Sequence, residues 1–458
     1  MFQKLKLSKF ITKQVYSLDR THSLNDYFCR SLKQYTLTNL KNRPAINELD
    51  TFVCPEVHVA HASNDVPIYQ IHKENAQVVL VDIIFKAGRL QEHKQMAASC
   101  TAALLSEGTT QRSSQEIAEY VDYHGATLRV RSDFDTTSIK LLSMTKHIDK
   151  LTGLLEEILT LPLFSQDELE LIISRRKERL KMDLQKNDII SYRRLTESLF
   201  GYNHPYGYNS APEKYDLIEQ ADLITHHAQL FNAQNCACFV AGEINPTIVA
   251  RLKTILSSLP KGSEYVEHKR LSKQPSSIRE SVVRGNPLQT SIRMGRHCFS
   301  RNHPDYHKLL MANTILGGYF GSRLISNIRE DKGLTYGIYS MLDTHMADGS
   351  LMISTDVDKS NVKQTIAEIK KELDRMCQEK VPEDELSLVR NYVSGMYINF
   401  FDGPLNSIKA IKTLALNNIP LDELKSLLDI YRSISAEEIL DTAQQYFNRN
   451  DFWTVTVG

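Results

Sequence analysis

Runs of apolar residues mark out the elements of this chain before any single side chain does. Residues 75–86 are β-rich and end at Ala87-Gly88, the pattern of a buried strand. Residues 96–106 are helical in composition, and Gly108-Thr109-Thr110 closes them. Ser113-Ser114-Gln115-Glu116 has cap spacing, a hydroxyl followed three residues on by a carboxylate. The helix it starts ends at Gly125. Residues 127–144 read as two strands around Asp133-Phe134-Asp135. Helices are predicted at 148–159, 167–184 and 191–200, and a buried strand at 235–242.

The order of elements then returns. Asp167-Glu168-Leu169 recurs as Asp384-Glu385-Leu386, a shift of 384 − 167 = 217. Leu230-Phe231-Asn232 recurs as Tyr446-Phe447-Asn448 and Gly242 as Gly458, both shifted by 216. Two copies of one unit account for the length. Strands and helices mix without strict βαβ alternation, so each copy is expected to be α+β, an antiparallel or mixed sheet covered by helices. The boundaries follow from composition: a basic arm at 1–43, a first domain at 44–260, a linker at 261–278 rich in Lys, Ser and Glu, and a second domain at 279–458. The first 18 residues hold Lys4, Lys6, Lys9 and Lys13, no acid and no arginine. They lack the apolar centre of a secretory signal and only loosely resemble a mitochondrial presequence. A disordered arm or an over-extended start is expected there.

Residues 317–340 carry the densest cluster of candidate chemistry. Gly317-Gly318 opens a short helical pattern with Phe320, Leu324, Ile325 and Ile328 on one face. Lys332-Gly333 supplies a basic last turn and a glycine stop, and 334–340 reads as a strand. Arg329 near the helix end and Tyr336 early in the strand offer a permanent cation and a phenolic donor, equipment suited to a peptide carbonyl or an oxyanion. The alternative is an exposed helix end with a core tyrosine.

With its glycine pair, Gly-Ser-Arg-Leu, Asn-Ile-Arg-Glu and Lys-Gly-Leu-Thr-Tyr in order, this stretch resembles the pitrilysin/insulinase family of zinc peptidases, which includes the mitochondrial processing peptidase. The resemblance extends over about residues 44–458. It implies two homologous domains facing each other like a clam shell, with the Arg/Tyr pair opposite a zinc site. Active members carry His-x-x-Glu-His on an N-terminal helix, with a third ligand, a glutamate, well downstream. Aligned on Gly108-Thr109, the two histidine positions are Ser99 and Ala103 here, and the water-activating glutamate is Ala102. The third-ligand position falls at 180–183, where Asp183 is the one carboxylate. One carboxylate cannot replace the three protein ligands of a catalytic zinc.

The resemblance therefore implies a non-catalytic, substrate-binding subunit of a heterodimeric zinc metalloendopeptidase. Arg329 and Tyr336 would act in trans on a homologous, zinc-bearing partner. The chain itself would hold no cofactor and hydrolyse nothing alone. Its substrate would be an extended peptide adding as a strand to a sheet edge. The alternative is a catalytically inert scaffold or a peptide-binding subunit of a larger complex.

Composition narrows the remaining classes. Of 458 residues, 55 are basic and 55 acidic, so net charge argues for neither nucleic acid nor an anionic membrane as partner. No apolar run approaches ~18 residues, so no transmembrane helix is expected. A cytoplasmic location is expected, with a mitochondrial one as the alternative. Seven scattered cysteines suggest free thiols in a reducing compartment, with Cys236 and Cys238 buried on one strand. His303-Pro-Asp-Tyr-His307 would align two histidines on a helix, but with capping or solvated roles expected rather than a metal. His58, His61, His226 and His227 are expected at the surface. The Gly201–Gly207 segment, containing His204-Pro205-Tyr206, resembles a structural loop of the same family.

Overall fold

The computed structural model describes residues 54–262, 279–283 and 288–458. The arm expected at 1–43 and nearly all of the linker expected at 261–278 lie outside the described residues. Strands β1 His58–His61, β2 Pro67–His72 and β3 Val78–Phe85 come first. Helices α1 Ala97–Leu104 and α2 Ser114–Tyr123, strands β4 Thr127–Ser132 and β5 Thr137–Met144, and helices α3 Ile148–Thr160, α4 Gln166–Asp183 and α5 Asn187–Phe200 follow. Helices α6 Pro212–Asp216 and α7 Gln220–Leu230, strand β6 Cys236–Gly242 and helix α8 Pro246–Ser257 complete this half.

The second half repeats the plan. It runs β7 Arg279–Val282, β8 Gln289–Cys298, α9 Tyr306–Asn313, β9 Thr335–Thr344 and β10 Gly349–Asp358. Then come α10 Val362–Gln378, α11 Glu383–Phe400, α12 Pro404–Leu416, α13 Glu423–Ser433, α14 Ala436–Tyr446 and β11 Trp453–Val457. The first sheet has the order β1-β2-β6-β3-β5-β4 and the second β7-β11-β8-β10-β9. Both are mixed, each with one parallel pairing, β2 with β6 and β11 with β7. This is the α+β architecture read from the sequence. The two 18-residue helices α4 and α11 stand at equivalent places, as the repeat requires.

Local chemistry explains most boundaries. Ser113 and Glu116 form a reciprocal capping box at the start of α2. β3 starts at Val78, three residues later than its apolar run suggests, because Asn75 and Gln77 adopt left-handed φ of 58° and 56°. In β3, Val79, Val81, Ile83 and Phe85 enter a core shared with Cys100 and Leu104 of α1, Leu151 and Leu155 of α3, and Ile248 and Leu252 of α8. The alternate residues, including the buried Asp82, face the other way.

Those second faces are covered by exchange. Leu195 and Leu199 of α5 pack with Met352, Trp453, Val455 and Val457 of the second sheet. Gly295 in β8 permits that approach, since a Cβ there would lie 2.9 Å from Leu195 Cδ2. In return α12 lies against β2 and β6 of the first sheet, and Lys412 Nζ reaches Asp82 Oδ2 at 3.1 Å. Each half thus supplies one helix to the other half's sheet. Burying a leucine such as Leu199 is worth about 1.5–3 kcal/mol.

The 201–207 loop adds a clasp between the halves. A Cβ on Gly207 would collide with the Gly201 carbonyl, so the loop closes only with glycine there. His204 Nδ1 accepts from Tyr206 N at 3.1 Å. The Tyr206 hydroxyl donates to Asp135 and accepts from Ala347 N at 3.3 Å. Met346 N donates to the other Asp135 oxygen at 3.0 Å. The loop is structural, tying the β4–β5 turn to the β9–β10 turn. Among the described residues no helix is long and apolar enough to cross a membrane.

Candidate functional site

Helix α1 carries the positions at which the family resemblance would put zinc ligands. It begins at Met96 with a left-handed φ of 79°. Its first amides are met by a carboxylate: Glu92 accepts from Met96 N and from Ala98 N, both at 3.1 Å. Burial outweighs these bonds and pushes the Glu92 carboxyl up to about 7. Ser99 is half-buried, Ala102 buried and Ala103 half-buried. Ser99 Oγ donates to Met96 O at 3.1 Å.

A residue that sequence reasoning missed occupies this place. Arg176 on α4 donates from Nη1 to Ser99 Oγ at 2.7 Å and from Nη2 to Ser99 O at 2.8 Å, with Cys100 Sγ at 3.7 Å. The signal was one turn upstream of Leu180, where an arginine projects from the same helix. Asp183 is engaged elsewhere, with Lys186 at 2.8 Å and Arg179 at 3.7 Å, and the Lys186 hydrogen bond holds its carboxyl below the usual range. Two alanine methyls, a committed serine and a guanidinium do not fit a zinc ion, which needs anionic or imidazole donors. No group of three or more His, Cys, Asp or Glu suited to a metal occurs among the described residues.

Residues 317–340 combine a hydrogen-bonded base with exposed aromatic side chains, Tyr336 the most exposed of them. Two π-helical turns, Thr314–Gly318 and Ile325–Asp331, take the place of the expected short α-helix. A Cβ on Gly317 would lie 2.6 Å from Ser340 Oγ, so the glycine lets the segment close on β9. Arg323 grips Glu385 in a fork, Nε to Oε1 at 2.9 Å and Nη2 to Oε2 at 2.7 Å. Asn327 Nδ2 donates to Glu372 at 2.7 Å and to Glu368 at 3.1 Å. Gly333 turns the chain into β9 with φ 61°.

Arg329, half-buried, belongs to the second π-helical segment, and Tyr336 stands near the start of β9. The Arg329 guanidinium lies over the Phe320 ring, 4.6 Å from its centroid. Tyr336 is 93% exposed, and its hydroxyl makes no hydrogen bond among the described residues. Phe320 corrects the sequence reading: it is 64% exposed rather than buried with Leu324 and Ile328. It falls in the turn between the two π-helical segments, where an α-helical period does not apply.

The histidines also need correction. His226 is fully buried, its Nε2 3.1 Å from Ala87 O, and His227 stacks on Phe231 at 4.7 Å. Burial pushes both down to about 4. His303 precedes α9 and is not aligned with His307: it accepts from Asp305 N at 3.1 Å and stacks on Phe299. His307 meets the Tyr431 hydroxyl at 2.6 Å and Glu423 at 3.1 Å, which is neither a cap nor a solvated side chain. His58 and His61 are exposed, and Cys236 and Cys238 are buried and free.

Residues 68–203 match the model of the insulinase family, peptidase family M16, and residues 218–393 match that of the peptidase M16 inactive domain. The chain is 23% identical over 401 residues to a Helicobacter pylori protein named non-peptidase homolog YmxG, covering 85% of this chain and 91% of that one. It is 22% identical over 351 residues to the uncharacterized zinc protease YmxG of Bacillus subtilis, covering 75% and 84%. In fold it resembles a peptidase M16 inactive domain from Pseudomonas fluorescens, with TM-score 0.82, 22% identity and coverage of 88% and 98%. A protease from Helicobacter pylori superposes with TM-score 0.78 at 17% identity, covering 88% and 100%.

Proposed function

Because this chain belongs to the insulinase family, peptidase family M16, and has serine and alanine where that family's metal ligands would stand, we propose that it is the zinc-free, peptide-holding subunit of a two-chain metallopeptidase. The observation that carries the reading is Tyr336. A tyrosine 93% exposed on an edge strand contributes little to the fold. A phenol held out to water at the start of an edge strand is suited to a function outside the chain. In the assembly Tyr336 donates to the oxyanion of a peptide being hydrolysed at the partner's metal, and Arg329 donates to a neighbouring backbone carbonyl. The peptide adds as a strand to the outer edge of β4, the strand against which α1 lies.

The test is kinetic. With a homologous His-x-x-Glu-His partner, Tyr336→Phe should lower turnover by about 10²–10³ with melting temperature and dimerisation unchanged. Arg329→Ala should raise KM more than it lowers kcat. Full activity in both variants of a confirmed heterodimer would make the Arg/Tyr assignment wrong and replace this reading with one of a catalytically inert scaffold subunit. The name of the Helicobacter relative, non-peptidase homolog, favours that second reading.

A further inference from the structure

The side chains on β4 bear on which peptides the edge would accept. Along Thr127–Ser132 exposure alternates: Thr127, Arg129 and Arg131 face water, while Leu128 and Val130 turn to the core. Register continues the outward row across the sheet. Arg129 lies opposite Lys140 on β5, which lies opposite Asp82 on β3, and Arg131 lies opposite Ser138. On this face of β3 to β5, and on α12 beside it, the charged residues are Arg129, Arg131, Lys140, Lys409, Lys412 and Asp82. Asp82 is buried and already shared by Lys140 at 3.7 Å and Lys412 at 3.1 Å. The carboxylate of Asp133, just past the end of β4, is consumed by its own turn. It accepts from Asp135 N at 2.9 Å and from Thr136 N at 2.7 Å. Neither Arg129 nor Arg131 has an ion-pair partner among the described residues.

We infer that the outer edge of β4 accepts an extended acidic peptide, with Arg129 and Arg131 reading carboxylates at alternate positions. This rests on the peptide-holding reading and supplies its substrate class. The geometry is that of strand addition. A peptide hydrogen-bonded to the edge advances about 3.3 Å per residue and turns every second side chain to the same face. Its i and i+2 side chains then stand beside Arg129 and Arg131, which are themselves two residues apart. Opposite charges directly across strands are favourable and like charges are not. A carboxylate pair is therefore selected and a lysine pair rejected, although the chain as a whole is neutral.

The test uses the full chain and three fluorescein-labelled, N-acetylated, C-amidated decapeptides. Valine alternates with glutamate in one, with glutamine in the second and with lysine in the third, and binding is followed by anisotropy. The glutamate peptide should bind tightest and weaken as salt rises. The double variant Arg129→Gln, Arg131→Gln should bind it about 5- to 30-fold more weakly while binding the glutamine peptide unchanged. Both arginines are exposed, and circular dichroism of the variant checks its fold. Equal binding of all three peptides would overturn the charge reading and leave peptide holding intact. Binding of none of them by the folded chain would overturn both.

Discussion

At the residue scale, a buried histidine and its half-buried neighbour shape the response to acid. His226 spends Nε2–H on the Ala87 carbonyl, and its buried Nδ1 has no partner, so a second proton there would be unsupported. Free imidazole titrates near ~6.5, so above that pH both folded and unfolded chains hold it neutral. As pH falls below that value the unfolded chain takes up protons first. Stability is therefore lost down to the folded values of about 4, by up to ~3 kcal/mol for each histidine. Glu92, raised to about 7, opposes this. It keeps a proton that the unfolded carboxyl sheds above ~4.3, so its contribution falls as pH rises through that window. His226 and His227 each contribute a slope of stability rising with pH between about 4.5 and 6.5, against which Glu92 and Asp135, both pushed up by burial, act with the opposite sign. His226→Gln should remove about one proton's worth of that slope, ~1.4 kcal/mol per pH unit. Urea midpoints measured across this range decide it, and equal slopes would refute the account. Sequence reasoning placed these histidines at the surface because residue type alone favours it. The sign it passed over was the three-residue step from Leu223 to His226, both buried on one side of α7. That Ser99, Ala102 and Ala103 share one helix ahead of Gly108 was legible in the sequence, whereas Arg176 was not. Its role depends on a helix more than seventy residues away in sequence.

At the element scale, strands and helices were legible wherever a cap or glycine punctuated an apolar run, as Ser113 does for α2 and Gly333 for β9. What an amphipathic stripe does not reveal is the surface that buries it. Leu195 and Leu199 announce an apolar face on α5, yet nothing local says that it belongs on β8 and β11. Leu199→Ala should cost about 2–5 kcal/mol, because a void would open against Trp453 and Val455. Leu171→Ala on α4, where the side chain is 42% exposed, should change stability by less than ~0.5 kcal/mol. Chemical denaturation of the two variants side by side tests the contrast. The π-helical turns escaped sequence reading for a related reason. The second is held from outside, by the Asn327 bonds to Glu368 and Glu372, with the Arg323–Glu385 fork just ahead of it.

At the scale of the whole molecule, the repeat announced two similar units and the exchange of α5 and α12 makes them one. Residues 54–262 expressed alone should lack a cooperative thermal transition, since α5 would lose its sheet and the β2–β6 face would lose α12. The full chain should unfold in a single transition, and calorimetry of both proteins is the check. A sharp transition in the fragment would show that the exchanged helices are dispensable. The same exchange also orders events in time. When α5 leaves the ribosome, the strands that will cover Leu195 and Leu199 have not been translated, and the last of them, Trp453–Val457, is the chain's final element. At ordinary elongation rates the wait is on the order of 10–50 s. Until it ends the nascent chain presents an incompletely covered apolar stripe on α5 and a sheet face without α12. Safe synthesis of this protein therefore calls for a holding chaperone during that interval, and slow codons between the two halves would lengthen the exposure.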